Sequence, residues 1–256
     1  MSTANASTRT STAYPFAVAL SGGADSMALT LLLAEFLERH RVPTPLLAVT
    51  VDHRLRPEST EEARHVGALC TSRMGSERIR HLILQCEWPA GGTATPRKSK
   101  LQEAARAYRY ELLARCCAEH GVKHLFVAHN LGDQLETVLF RLGRASGIDG
   151  LAGMDAVTPL PTDPEAPTRV VRPLLGVTKA ALKVTCERFG QSWVEDPSNE
   201  SLVFDRIRIR KALAAVEHQP TGHETLALLS DLQRVAARAR DEFQVAGRNV
   251  ISLCDS

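Results

Sequence analysis

A run of serines, glycines and one aspartate follows the first apolar segment and has the composition of a phosphate-binding loop. Residues 21–26 read Ser-Gly-Gly-Ala-Asp-Ser and come directly after the apolar residues 16–20. Glycine lets a ligand approach the backbone, and a helix that begins here offers amides and a positive dipole end to an anion. The hydroxyls of Ser21 and Ser26 add donors, and Asp25 is placed to hold a metal ion at the phosphates. The alternative is a tight turn in which Ser21 or Asp25 only caps the helix.

Two pairs of charged residues have the spacing of one helix face. Arg106 and Arg109 are three residues apart, so both can meet a phosphate, unless they only form a charged helix surface. Asp133 and Glu136 are also three apart, at a predicted helix start. Two carboxylates on one face could hold a magnesium ion and an ammonium group, or they could merely favour the helix dipole.

A second basic group lies further along the chain and is a candidate nucleic-acid contact. Arginines four residues apart on a helix fit a phosphate backbone, and the alternative is an ordinary solvated helix face. The members of this candidate patch are Arg206, Arg208, Arg210 and Lys211, with Arg141 and Arg144 as further candidates.

The elements that must position these residues alternate between short apolar strands and amphipathic helices. The predicted strands are 16–20, 46–51, 79–84, 124–128 and 169–175. The predicted helices are 24–40, 61–74, 97–120, 133–142, 178–189 and 223–246. This alternation predicts right-handed crossovers and a doubly wound α/β fold with a mostly parallel, five-stranded sheet. Such a sheet binds ligands at the carboxyl ends of its strands.

The composition narrows the class of protein further. An apolar share of 44% and a charged share of 23% are ordinary for a soluble globular protein, and no apolar run approaches the roughly 18 residues of a membrane span. The net charge of +2 does not indicate a nucleic-acid-binding protein, so nucleic-acid binding would require a local basic patch. None of the six cysteines forms a Cys-x-x-Cys pair, so we expect reduced thiols in a cytoplasmic protein.

The Ser-Gly-Gly-x-Asp-Ser loop resembles the motif of the PP-loop, or N-type ATP pyrophosphatase, superfamily. Over residues 15–217 the chain resembles the tRNA(Ile)-lysidine synthetase family. The further segments that carry this resemblance are Val51–Arg56, Ala105–Tyr110, His129–Thr137, Arg144–Met154, Trp193–Asn199 and Phe204–Arg210. Three positions depart from the family pattern: Asn130 replaces a histidine, Gly132 an aspartate and Ala145 a glycine.

The resemblance implies a PP-loop ATPase fold, like that of the adenine nucleotide alpha hydrolases, with a C-terminal helical extension. It implies that ATP adenylates the wobble cytidine of a CAU-anticodon isoleucine tRNA, and that L-lysine then displaces AMP to give lysidine. The implied cofactors are ATP and Mg²⁺. The implied ATP-binding residues are Ser21, Gly22, Gly23, Ala24, Asp25, Ser26, Asp52, His53 and Arg106. The implied catalytic residues are Asp25, Asp133, Arg109 and Glu136, with Asp25 and Asp133 on the metal and Glu136 on lysine.

We divide the chain into a disordered tail (1–14), a PP-loop domain (15–217) and a helical extension (218–256) that is a remnant or connector of a tRNA-binding region. Two alternatives stay open. One is another PP-loop tRNA-modifying ligase, although the missing Cys-x-x-Cys pairs disfavour the cytidine-thiolating branch. The other is a nucleotide- or tRNA-binding protein that has lost catalysis, which Gly132 suggests.

Overall fold

The protein consists of two compact units that alternate along the chain. In the computed structural model, the described residues are 14–88, 101–195, 205–217, 219 and 221–254. The first unit comprises the chain up to residue 127, together with 157–171 and 186–194. The second comprises residues 128–156, 172–185 and 195 onward. The predicted boundary at residue 217 lies within the second unit.

A six-stranded sheet forms the centre of the first unit. Its strands are β1 (Phe16–Ala19), β2 (Leu46–Asp52), β3 (Ile79–Gln85), β4 (His124–Phe126), β5 (Val157–Pro159) and β6 (Arg169–Val171). The spatial order is β3-β2-β1-β4-β6-β5, and every neighbouring pair is parallel except β5 with β6. The carboxyl ends of β1, β2 and β3 therefore open at one edge of the sheet.

Eight helices are present among the described residues. The first unit contains α1 (Ala24–Arg39), α2 (Ser59–Met74) and α3 (Leu101–Glu119). The second unit contains α4 (Leu131–Leu142), α5 (Gly147–Leu151), α7 (Asp205–Glu217) and α8 (Gly222–Cys254), and α6 (Lys179–Arg188) runs from the second unit into the first. None of the helices so described is both long and apolar enough to cross a lipid bilayer.

The core of the first unit lies between the sheet and α3. Leu47, Leu125 and Val170 lie on β2, β4 and β6, and all three are fully buried. Tyr110 and Leu113 of α3 pack against them in the same apolar cluster. Burial of a large aliphatic or aromatic side chain contributes roughly 1.5–3 kcal/mol, so this contact fixes α3 on the sheet. The arginines of α3 are thereby positioned as well.

The predicted doubly wound α/β class is confirmed, and the predicted number of strands is wrong. The sheet has six strands because Val157–Pro159 pairs antiparallel with β6, which a stretch rich in proline does not reveal. The glycine-rich stretch 143–153 also contains a short helix, α5, that was not predicted. Most of the predicted tail lies outside the described residues, and Tyr14 donates its backbone N–H to the His120 carbonyl at 2.9 Å.

Candidate active site

One hydroxyl group organises the loop that follows β1. The donors Ser21 N, Ser21 Oγ and Gly22 N lie 3.1–3.2 Å from Ser26 Oγ, which itself donates to the Gly23 carbonyl at 3.0 Å. Helix α1 begins at Ala24, and its N-cap residue, Gly23, has no side chain to cap the first turn. A compact loop followed by a helix start without a side-chain cap is the arrangement that binds a phosphate.

Gly22 is required at its position for two independent reasons. Its φ of +88° lies in the left-handed region, which side chains other than glycine rarely adopt. A Cβ atom on Gly22 would also lie 2.3 Å from Cγ2 of Val66 on α2. The Gly22 carbonyl accepts the backbone N–H of Val194 at 2.9 Å. The shape of the loop is therefore set by segments distant in sequence.

Asp52, at the end of β2, is engaged in structural hydrogen bonds. Its Oδ1 accepts from the Arg54 backbone at 3.0 Å and from Ser59 Oγ at 2.7 Å, and its Oδ2 accepts from Thr60 Oγ1 at 2.6 Å. Burial by itself raises the pKa of Asp52, but these hydrogen bonds and the charge of Arg54 outweigh it and lower the pKa. The carboxylate thus joins the end of β2 to the first turn of α2. Its predicted role in ATP binding stays a prediction.

His53 follows Asp52 and lies in the field of Arg109. Burial, together with the positive charge of Arg109, lowers the pKa of His53 below its usual value, while the Asp52 carboxylate acts in the opposite direction. The ring Nδ1 lies 3.6 Å from Sγ of Cys86. Burial raises the pKa of that thiol to about 11, so it is protonated at neutral pH. His53 is therefore neutral at pH 7 and can contact a ligand without adding charge.

Arg106 and Arg109 lie beside each other on α3, as their spacing predicts. The guanidinium carbons lie 5.3 Å and 5.7 Å from the ring centroid of Tyr110, within the range of cation–π contacts. Burial and the neighbouring charge of Arg106 lower the pKa of Arg109, although Tyr110 opposes this. Within the described part of the chain, neither arginine forms an ion pair with a carboxylate. Two adjacent cations in that state form a local positive site suited to an anionic ligand.

In the second unit, Asp133 is part of a helix cap. Asn130 is the N-cap residue of α4, and its Oδ1 accepts the Asp133 backbone N–H at 3.2 Å. In return, Asp133 Oδ2 accepts the Asn130 backbone N–H at 3.0 Å, which completes a capping box. One carboxylate oxygen of Asp133 is therefore committed to the helix start. Its assignment as a metal ligand stays a prediction.

Glu136 lies one turn further along α4 and is 5% exposed. A buried carboxylate requires partners, so this residue is not a simple surface charge. Arg172, a residue that the sequence analysis missed, is also buried in this unit. Its Nε donates to His129 Nδ1 at 3.3 Å and one of its terminal nitrogens donates to the Asp155 carbonyl at 3.0 Å. Its only sequence signal was a charged residue within the predicted strand 169–175.

The structure shows the local environment of each of the three positions that depart from the family pattern. Asn130 serves as the N-cap residue of α4. Gly132 has an ordinary backbone, and a Cβ there would lie 3.1 Å from Asn130 Oδ1, a tight contact. Ala145 has a φ of +53°, so a non-glycine residue occupies a left-handed position in the turn after α4. That conformation costs an L-residue roughly 1–2 kcal/mol.

The predicted nucleic-acid patch is described only in part. Arg208 and Lys211 are exposed on α7, whereas the side chains of Arg206 and Arg210 lie outside the description. Arg144 stacks on Phe140 at 4.2 Å and Arg141 donates to the Gly153 carbonyl at 2.8 Å, so both belong to the α4–α5 turn. The patch stays a prediction. The predicted Glu-Asp-Pro-Ser-Asn segment also lies mostly outside the described residues.

The predicted site residues are divided between the two units. The first unit contains the loop 21–26, Asp52, His53, Arg106 and Arg109, and the second contains Asp133, Glu136 and the basic patch. In the first unit, Asp52 at the end of β2 accepts hydrogen bonds from hydroxyl and amide donors, and Asp25 stands in the first turn of α1 beside the loop. Among the described residues, no three potential metal-binding side chains cluster together. One carboxylate beside a phosphate loop suits Mg²⁺, which binds through one or two carboxylates plus substrate phosphates.

Comparison with known proteins places this site in a family. The model of the PP-loop domain matches residues 2–217. The chain therefore belongs to the PP-loop family. It is 38% identical over 231 residues to the tRNA(Ile)-lysidine synthase of Brucella suis, covering 87% of this chain and 46% of that protein. It is 40% identical over 222 residues to the enzyme of that name from Bradyrhizobium, covering 87% and 58% respectively. The chain thus spans about half the length of these relatives.

A solved structure supports the fold independently of these sequences. The U34-tRNA thiolase NcsA from Methanococcus maripaludis, solved with its [4Fe-4S] cluster, matches with a TM-score of 0.63 at 18% identity. The match covers 87% of this chain and 73% of that one. At this identity the likeness shows the fold and nothing further about chemistry.

Proposed function

We propose that this chain catalyses the ATP-dependent ligation of L-lysine to the wobble cytidine of a CAU-anticodon isoleucine tRNA. The observation that carries the proposal is the loop 21–26, which ends in a helix start without a side-chain cap and lies in the same unit as two arginines without a described carboxylate partner. The tRNA(Ile)-lysidine synthase name of relatives at 38–40% identity supplies the substrates.

The reaction divides into two steps. In the first, the carbonyl oxygen of the cytidine attacks the α-phosphorus of ATP, the α–β bond breaks and pyrophosphate leaves. In the second, the lysine ε-amine loses a proton and attacks the activated ring carbon, and AMP leaves with the former carbonyl oxygen. The modified base then pairs with A instead of G.

The residues of the first unit bind and orient ATP in this proposal. The loop amides and the hydroxyls of Ser21 and Ser26 hold the phosphates, and α1 directs its positive end at them. Arg109 stabilises the charge that develops at the α-phosphate, with Arg106 beside it. Because these donors are held in place before ATP binds, little reorganisation is needed during the reaction.

Asp25 and Asp133 are the proposed magnesium ligands, and Glu136 is the proposed partner of the lysine ammonium. A bound Mg²⁺ would neutralise charge on the phosphates. Asp133 can serve this role with one oxygen, because the other accepts a hydrogen bond in the capping box. A buried Glu136 suits recognition of an ammonium group, since a buried carboxylate pairs most favourably with an opposite charge.

Incubation of the protein with ATP, isoleucine tRNA and labelled lysine tests the proposal. We expect label in the tRNA, with AMP and pyrophosphate as the nucleotide products. ADP as the main product would overturn the assignment of the loop. AMP release without lysine transfer would indicate a different PP-loop ligase, and tRNA binding without nucleotide turnover would indicate a binding protein.

A further inference from the structure

An aromatic pair lies at the same edge of the sheet as the phosphate loop and has no role in the mechanism above. The ring of Trp88, three residues beyond β3, meets the ring of Tyr108 on α3 at 5.4 Å and 87°, a T-shaped contact. Both side chains are half-buried. A T-shaped contact occupies at most one face of the indole, so an aromatic surface remains for a ligand.

Hydrogen bonds hold the Trp88–Tyr108 pair to the residues that follow β2 and β3. Trp88 Nε1 donates to the His53 carbonyl at 2.6 Å, which joins the indole to the end of β2. Tyr108 Oη accepts the Glu87 backbone N–H at 3.1 Å and lies 3.2 Å from the Glu87 carbonyl. The polar atoms of both rings are thus used within the protein. What remains for a ligand is the apolar ring surface, held rigidly before anything binds.

The register of the sheet relates this surface to the phosphate loop. Asp52 pairs with Gln85, so the residues after β2 and β3 lie next to each other, and β2 is also the neighbour of β1. Two strand spacings separate β3 from β1, or roughly 10 Å. The segment that carries Trp88 therefore begins roughly 10 Å to the side of the point where the loop 21–26 begins.

The electrostatics around the pair favour the same class of ligand. Arg109, one residue beyond Tyr108, is close enough to His53 for its charge to lower the pKa of that histidine. Arg106 lies beside it on the same helix. An aromatic surface next to arginines that have no carboxylate partner among the described residues is the combination that proteins use to bind a nucleotide, because the ring stacks the base while the cations meet the phosphate.

We propose that the exposed part of the half-buried Trp88 indole stacks a nucleobase beside the phosphate loop. The inference rests on the proposed function, since that reaction brings two bases to the protein, the adenine of ATP and the wobble cytosine of tRNA. Both share the chemistry that stacking recognises. Measurements with separate ligands identify which of the two bases stacks on the indole.

Fluorescence of Trp88 reports the contact directly. The chain has two tryptophans, so Trp193→Phe leaves Trp88 as the sole indole, and circular dichroism verifies the fold of this variant. The ligands are a non-hydrolysable ATP analogue, an anticodon stem-loop RNA and pyrophosphate, which fills a phosphate site without a base. We expect quenching by at least one base-carrying ligand and none by pyrophosphate. Quenching by the analogue alone assigns adenine, and quenching by the RNA alone assigns the tRNA base.

Affinity measurements with substitutions at Trp88 separate stacking from packing. Loss of one stacked base costs about 1–3 kcal/mol, so Trp88→Leu should weaken the quenching ligand roughly 5- to 150-fold and leave pyrophosphate binding unchanged. Trp88→Phe, which keeps a ring, should restore most of the affinity. Phe243→Leu is the control, because it removes an aromatic ring that is exposed on α8.

The outcomes separate this inference from the proposed function. Unchanged Trp88 emission and wild-type affinity of Trp88→Leu, in a protein that still makes AMP and transfers lysine, would overturn the stacking role alone. Absence of lysine transfer with intact quenching would overturn the proposed reaction and keep the base site. Equal weakening of pyrophosphate and base-carrying ligands by Trp88→Leu would show that the residue only supports the fold.

Discussion

Helices α1 and α4 begin in opposite ways, although each follows a parallel strand and carries a predicted catalytic aspartate in its first turn. The N-cap residue of α1 is Gly23, which has no side chain, whereas the N-cap residue of α4 is Asn130, which forms a complete capping box with Asp133. The amides at the start of α4 are thus partly satisfied from within the protein. The start of α1 lacks a side-chain cap and is available to an anion.

This difference shows that the residue in the cap position decides what a helix start can bind. Asp25 and Asp133 are equivalent in a linear motif, but only Asp133 is tied to its own cap through Oδ2. We therefore expect changes at the start of α1 to alter catalysis and changes at the start of α4 to alter stability.

The largest expected effect is at Asp25. Asp25→Asn removes a proposed magnesium ligand beside the phosphate loop, and turnover of ATP should fall on the order of 100- to 1000-fold, as when one preorganised electrostatic contact is lost. The unfolding midpoint in urea should change little. Glu61→Gln is the matched control, because it neutralises an exposed carboxylate in the first turn of α2. Equal losses of turnover in the two variants would show that the effect is not specific to the carboxylate beside the phosphate loop.

The second effect comes from placing a cap on α1. Gly23→Asp introduces a carboxylate with room to fit, since among the described residues a Cβ at Gly23 meets only Ser21 Oγ, at 4.0 Å. The new carboxylate would compete with phosphate for the same amides, and a like-charge contact costs several kcal/mol. Binding of ATP should therefore weaken on the order of 100-fold or more in calorimetry. Gly23→Ala controls for the added Cβ, and wild-type ATP affinity of Gly23→Asp would contradict the assignment of the phosphate site.

The third prediction concerns the cap of α4. Asn130→Ala removes the acceptor of the Asp133 backbone N–H and should lower the free energy of unfolding by about 1 kcal/mol. Urea denaturation measures this directly. Asn130→Asp keeps an acceptor at the same position and should restore most of the loss. A stability unchanged by Asn130→Ala would mean that the capping box is not formed in solution.

The fourth prediction tests the turn at the other end of α4. Ala145 and Gly147 both have left-handed backbones, with φ values of +53° and +62°. Ala145→Gly should raise the free energy of unfolding by about 0.5–1 kcal/mol, since relief of the strain exceeds the added entropy of the unfolded chain. Gly147→Ala should lower it by about 1 kcal/mol, and purely through the backbone, because a Cβ there meets nothing within 4 Å. The midpoint of thermal unfolding should therefore rise for Ala145→Gly and fall for Gly147→Ala.

The smallest expected effect is at Gly132, the position where the family pattern has an aspartate. Gly132→Asp should leave turnover within a few-fold of the wild type, because the backbone there suits any residue and Asn130 Oδ1 needs to move only a few tenths of an ångström. Steady-state AMP release is the measurement. Loss of turnover in a folded Gly132→Asp protein would show that the alignment of this segment with the family is wrong.

The phosphate loop, its strand and the spacing of Arg106 and Arg109 could be predicted because each depends on residues close together in sequence. Strand β5 was missed because its three residues end in proline and pair only with β6. Asn130 and Asp133 have the spacing of a capping box, which was not predicted, because the sequence alone does not show which donor each side chain faces. Trp88, in the loop after β3, contacts Tyr108 on α3. The two residues are twenty positions apart, so no local sequence pattern predicts this contact.

The clamping of Gly22 means that the Ser-Gly-Gly-Ala-Asp-Ser hexapeptide is not a transferable module for protein engineers. Its curvature depends on Val66, packed where a Cβ would otherwise stand, and on Val194, which hydrogen-bonds the Gly22 carbonyl. A scaffold that received the six residues alone would lack both contacts, and its glycine-rich turn would be flexible. A successful graft must also include the part of α2 that carries Val66 and the segment that carries Val194.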